Sequence, residues 1–207
     1  MFKTFLVSRR LGLSRTPKPM LPIERQRAVG GSTIAGLAAK FLIAPSALMQ
    51  LTPAEAMVVV GYMTPRRIAI GTTFMNQGDN SETGYMVLLL RGEVTVENLA
   101  VSRRGQRTVT VLAPGSLIGE ISLVDGSARL ASCTASTDVL CATLSRGALE
   151  QLTHDDPRTA AKLLLAVAVR IGARLRDTTD KVRLYSQLTQ AMQQEIDALI
   201  PTLEHHR

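Results

Sequence analysis

The chain has 207 residues, enough for one well-cored domain with extensions and too few for two of ordinary size. With no Trp, three Tyr and four Phe among 45% hydrophobic residues, the core must be aliphatic, which argues against a stacking platform for single-stranded nucleic acid. The formal charge of +7 is concentrated at one end: residues 1–40 hold eight Lys and Arg against Glu24 alone, while residues 41–207 hold sixteen basic and sixteen acidic side chains, so the folded part is neutral.

Apolar runs such as Met57 to Val60 and Tyr85 to Leu90 fall far short of the roughly 18 to 20 residues of a membrane-spanning helix, so no span is expected. Cys133 and Cys141 form no CxxC pair and have no His close by. They read as buried small hydrophobes in a reducing, cytoplasmic setting rather than as a metal site or disulfide framework.

In chain order, residues 1–33 carry Thr16-Pro17-Lys18-Pro19 and Gly30-Gly31-Ser32, which mark a basic arm without stable structure. Residues 34–51 allow one or two short helices broken at Pro45, and Thr52-Pro53-Ala54-Glu55 is a capping box opening a helix to about Met63. From Arg66 to Leu144 short runs rich in β-branched residues alternate with Gly, Asp, Asn and Pro. The expected strands are Arg66 to Ile70, Tyr85 to Leu89, Glu93 to Asn98, Arg107 to Leu112, Leu130 to Ala135 and Val139 to Leu144, with turns at residues 77–80, 103–105 and 113–116. Short strands at this spacing predict an antiparallel sandwich or barrel.

A helical period sets in after Leu144, first near Arg146 to Leu152, then in a long helix opened by Asp156 as cap and Pro157 in the first turn, and ended by Pro201. Its first two turns, near Leu163 to Val169, are expected to pack on the barrel. Leu164, Ala168, Ile171, Leu175, Thr178, Val182, Tyr185, Thr189, Met192, Ile196 and Leu199 recur at alternating intervals of four and three, the seam of a coiled coil. A rod of about 60 Å at 1.5 Å per residue is more than a small domain can bury alone, so a parallel homodimer is expected.

The most informative segment is Gly119-Glu120-Ile121-Ser122-Leu123-Val124-Asp125-Gly126-Ser127-Ala128-Arg129-Leu130-Ala131-Ser132. It resembles the phosphate-binding cassette of the cyclic-nucleotide-binding domain family: Gly-Glu, two small or aliphatic residues, Leu, a short turn, then Arg, any residue, Ala and a small polar residue. Gly71, Asn76-Gln77-Gly78-Asp79 and Arg91-Gly92-Glu93-Val94-Thr95-Val96 fit the family's turn and strand glycines in order. The likeness covers about residues 48–186. It implies a mainly β fold with flanking helices, an antiparallel β-roll of jelly-roll type over residues 34–154, a long C-terminal dimerisation helix over 155–200 and a tail at 201–207.

The chemistry of the segment agrees. A glycine followed by one helical turn with free amides seats an anion, so Gly119, Glu120, Ile121 and Ser122 suit a cyclic phosphate. Arg129 offers it planar paired donors. A carboxylate beside a phosphate would repel it, so Glu120 must face another group; by resemblance this is the ribose 2′-hydroxyl. Taken alone, a Gly-Glu and a later Arg would more often be a surface ion pair.

In the long helix, Arg174, Thr178 and Thr179 resemble the stretch of bacterial catabolite activator proteins in which hydroxyl residues of both subunits meet the adenine amino group. Register residues on the helix surface are the alternative. Leu130 stands where relatives that prefer cyclic GMP often carry Thr, which favours cyclic AMP. If the helix does not read the base, Val109, Thr110 and Leu130 of the barrel are the next candidates.

The expected function is a dimeric cyclic AMP sensor acting on an effector protein still to be identified. A truncated transcription regulator and a dimer with a vestigial pocket are the alternatives. Catabolite activator proteins continue into a DNA-binding domain, whereas here most of the chain after Tyr185 reads as helix, so direct sequence-specific DNA binding is not expected. Neither is catalysis or a metal: His154, His205 and His206 stand in no nucleophile, carboxylate or metal-ligand arrangement.

Overall fold

The computed structural model describes residues 32–44, 48, 50–80, 84–99 and 107–199. Residues 1–31 of the basic arm, Pro45, the turn at 103–105, Pro201 and the tail lie outside them, whereas Ser32 caps the first helix and Thr33 begins it. The elements are α1 (Thr33–Leu42), α2 (Pro53–Val60), β1 (Thr64–Ile68), β2 (Thr73–Met75), β3 (Tyr85–Arg91), β4 (Val94–Leu99), β5 (Arg107–Leu112), β6 (Leu117–Ile118), α3 (Glu120–Asp125), β7 (Ser132–Ala135), β8 (Val139–Ser145), α4 (Arg146–Asp155) and α5 (Pro157–Leu199). The strands form two antiparallel four-stranded sheets, ordered β1-β8-β3-β6 and β2-β7-β4-β5. This is a β-roll flanked by helices and followed by one long helix.

β3 explains the unbroken apolar run of the sequence. Side chains alternate across a strand, and here both faces are covered. Met86, Leu88 and Leu90 pack with Leu42, Val59, Leu152 and Leu163 of the helices, whereas Val87 and Leu89 point between the sheets toward Phe74, Val94, Cys133 and Cys141. The first sheet is thus sandwiched between a helical layer and the second sheet. Both cysteines are free and buried, and burial pushes the Cys133 thiol up to about 11 and the Cys141 thiol upward as well.

Thr52 and Glu55 form the expected capping box on Pro53 at the start of α2. Glu55 also pairs with Lys162 of α5, and these contacts hold its carboxyl at about 2, below the usual carboxylate range. Asp156 caps α5, accepting from the Thr159 amide at 3.0 Å and the Thr159 hydroxyl at 2.7 Å.

Two strands were not expected from the sequence: β2 has three residues and β6 two, too few for an alternation to register. β1 lies two residues earlier than expected, because Pro65 is tolerated on an edge strand. In α5, Ala160, Leu163, Ala166 and Val167 are buried on the domain, and Ile171 packs at the margin of that core. From Ala173 to Ala198 the helix is exposed, including Leu175 at 66%, Val182, Tyr185 at 66%, Met192 and Ile196. Among the described residues no helix is long and apolar enough to cross a membrane.

Candidate functional site

One register row of the second sheet makes the floor of a cleft. Met75 on β2 pairs with Cys133 on β7, Cys133 with Val96 on β4, and Val96 with Thr110 on β5. All four line the cleft, with Leu112, Leu117 and Ile118 beside them. The opposite wall is Gly119, Glu120, Ile121 and Ser122; Arg129, Leu130 and Ala131 close one side, and Arg174 reaches in from α5.

Gly119 caps α3 at φ +80°, and no side chain caps the helix. The first amides of a helix have no intrahelical acceptor, so those of Glu120 to Ser122 are the natural donors to a bound anion. At the other end, the Arg146 guanidinium donates to the carbonyls of Ser122 (3.1 Å) and Leu123 (3.0 Å), where positive charge complements the helix dipole.

Arg129 is 4% exposed. Its Nη1 donates to the Tyr85 carbonyl at 3.0 Å and the Gly119 carbonyl at 3.4 Å, and its guanidinium lies 4.4 Å from the centre of the Tyr85 ring. Burial draws its basicity below the ordinary guanidinium value, opposed by Tyr85, Cys133 and Asp79. The turn at residues 76–80 holds its backbone: the Gly78 amide donates to the Arg129 carbonyl (2.8 Å) and the Arg129 amide to the Asp79 carbonyl (3.1 Å). A buried cation and an uncapped helix start therefore share one cleft.

Glu120 is 1% exposed, and its Oε1 lies 3.4 Å from Nη1 of Arg174 and 3.7 Å from Nε of Arg170. Two guanidinium groups compensate a buried carboxylate that would otherwise be costly.

The fold brings together eight of the sequence candidates: Thr110, Gly119, Glu120, Ile121, Ser122, Arg129, Leu130 and Arg174. It does not bring in Val109, which sits on the outer face of the sheet at 55% exposure because neighbouring residues of a strand point oppositely. Nor does it bring in Thr178 and Thr179 within one chain. Both are exposed, and their hydroxyls donate to the carbonyls of Arg174 and Leu175 at 2.9 Å. Arg170 and Arg146 went unrecognised in the sequence, since a lone arginine on a helix carries no motif. Among the described residues no cluster of three His, Cys, Asp or Glu side chains could hold a metal.

Gly119 is confined twice over. An added Cβ would lie 2.5 Å from Nη1 of Arg129 and 3.1 Å from both Cε of Met75 and the Tyr85 carbonyl oxygen. A non-glycine residue at this φ costs about 1–3 kcal/mol. Gly119→Ala is thus expected to lose stability in that range and to displace Arg129. Urea unfolding with nucleotide titration checks it, and unchanged stability and affinity would count against this geometry.

A β-roll with this cleft defines a class of fold, and residues 65–156 match the cyclic nucleotide-binding domain family. Among its relatives is the "CRP-like cAMP-activated global transcriptional regulator" of Mycobacterium tuberculosis, 26% identical over 157 residues. The match covers 73% of this chain and 65% of that relative's length. A crystallised cyclic nucleotide-binding domain from Methylobacillus flagellatus superposes with a TM-score of 0.62 at 26% identity, over 73% of this chain and 84% of that one. The catabolite activator protein of Thermus thermophilus superposes with a TM-score of 0.59 at 26% identity, covering 70% and 63%.

Proposed function

We propose that the chain is a cyclic AMP sensor whose ligand occupies this cleft and is coupled to a parallel homodimer through α5. The observation that carries the proposal is the convergence of buried Arg129 and the uncapped start of α3 on one cleft. The cyclic phosphate takes the amides of Glu120 to Ser122 and the Arg129 guanidinium, and the ribose 2′-hydroxyl donates to Glu120. The named relatives, a cAMP-activated regulator and a catabolite activator protein, support the ligand class and a regulatory rather than catalytic role. Leu130, exposed beside the cleft, offers no hydroxyl to a guanine amino group, which favours cyclic AMP over cyclic GMP.

A threonine that donates to its own helix carbonyl keeps lone pairs with which to accept. Thr178 and Thr179 are in that state, suited to the adenine amino group and unsuited to the guanine carbonyl. They reach a base only where two α5 helices lie side by side, so base recognition and dimer geometry become one equilibrium. A ligand that touches both subunits favours the closed dimer by its differential affinity alone. The helix pair then presents the occupied state to an effector.

Calorimetric titration of the full chain with cyclic AMP and cyclic GMP is the deciding experiment; absence of binding to either would overturn the proposal. The double variant T178A/T179A is expected to lose about ten- to a hundred-fold in cyclic AMP affinity, at about 0.5–1.5 kcal/mol per hydrogen bond, and less toward cyclic GMP. Should it keep wild-type affinity and preference, base selection lies in the barrel, at Thr110 and Leu130.

A further inference from the structure

We infer that Arg170 is a positioning residue for the ribose-binding carboxylate: it anchors Glu120 from the α5 side so that one carboxylate oxygen is left for the nucleotide's 2′-hydroxyl. This deepens the cyclic-nucleotide reading and rests on it. Arg170 does not line the cleft itself. Its side chain is 26% exposed against 60% for Arg174, so the two guanidinium groups that meet Glu120 are held very differently.

Arg170 meets two groups, one through charge alone and one by a hydrogen bond. Nε lies 3.7 Å from Glu120 Oε1, and Nη2 donates to the Leu117 carbonyl at 3.4 Å. One rigid planar group therefore spans β6, immediately before the cassette, and the first residue of α3. Arg174 reaches the same oxygen, Oε1, from a largely solvated side chain, where holding a long chain in one geometry costs entropy and gains little. With both cations on Oε1, Oε2 accepts from the ribose hydroxyl. Because Glu120 is almost wholly buried, a carboxylate there calls for compensating charge close by, and Arg170 supplies it from the more shielded side. Glu120 is the ribose-directed group that Arg170 meets, so its influence falls chiefly on the ribose rather than on the phosphate or base.

The test is calorimetric titration of wild type, R170Q and R170K with cyclic AMP and with 2′-deoxy cyclic AMP, each variant first checked for a cooperative thermal transition. Wild type is expected to prefer cyclic AMP at least about tenfold, in the range of a hydrogen bond to a charged group. In R170Q the cyclic AMP affinity falls about tenfold while the 2′-deoxy affinity barely moves, bringing the ratio close to one; R170K keeps part of the preference by its charge. An unchanged ratio in R170Q, whether both affinities hold or both fall together, overturns the inference and leaves Arg170 a packing residue. If R170Q does not fold, R170K decides: a ratio at the wild-type value overturns the inference. A wild type that binds both nucleotides equally, or neither, shows the fault in the Glu120 reading itself and removes the inference with it.

Discussion

Arg129→Ala is expected to weaken cyclic AMP binding by about 1.5–3 kcal/mol, the range for hydrogen bonds to a charged group, which is roughly ten- to a hundred-and-fifty-fold. The other donors proposed for the phosphate are backbone amides, which substitution does not remove, so binding should weaken without vanishing. The same change withdraws a donor from the carbonyls of Tyr85 and Gly119, so unfolding must be measured alongside affinity. Arg129→Lys separates the two contributions: it keeps the charge and loses the planar pair of donors, and its affinity should fall between wild type and Arg129→Ala. Calorimetry on the three proteins checks the order. Wild-type affinity in Arg129→Ala would remove the cassette assignment.

The second large effect is expected at the seam of α5. Leu175 and Tyr185 are each 66% exposed in the single chain, so replacing both with Glu should leave the domain folded. In a two-fold dimer every seam residue is buried twice. At about 1.5–3 kcal/mol for each large apolar side chain taken from water, the double variant L175E/Y185E should dissociate to monomers at micromolar concentration. Cyclic AMP affinity should fall with it, because Thr178 and Thr179 lose the neighbouring helix. Sedimentation velocity with and without nucleotide reads both. A wild type that is monomeric at that concentration, or a variant that stays dimeric, would refute the seam.

Much of this was legible in the sequence, for reasons that differ from element to element. The cassette was readable because its chemistry is local: Gly119 to Arg129 bring cap, amides and guanidinium together within eleven consecutive residues. The capping residues Thr52, Glu55 and Asp156 act within their own first turn and could be placed for the same reason. Positions that depend on strand pairing could not be placed. Val109 and Thr110 were equal candidates until the register of β5 with β4 put Thr110 in the row with Val96 and Cys133 and turned Val109 outward. Arg170 and Arg146 act across 50 and 24 residues of chain, on Glu120 and Ser122, and no local pattern links such pairs. The two faces of α5 were likewise only partly separable. Its core face, Ala160, Leu163, Ala166 and Val167, and the seam that begins at Leu164 run side by side, and burial alone tells them apart.

The unequal support of α5 has a mechanical consequence. The domain grips only the first turns of a helix 43 residues long, through Lys162, the buried face and Arg170. Beyond Arg174 the helix is a stiff lever whose fulcrum lies beside the cleft. Leu199 stands about 38 Å further along at 1.5 Å per residue, so a tilt of about 10° at the fulcrum carries that end through about 7 Å. A movement at the cleft too small to repack the β-roll would thus be magnified into a displacement of several ångströms at the far end of the helix.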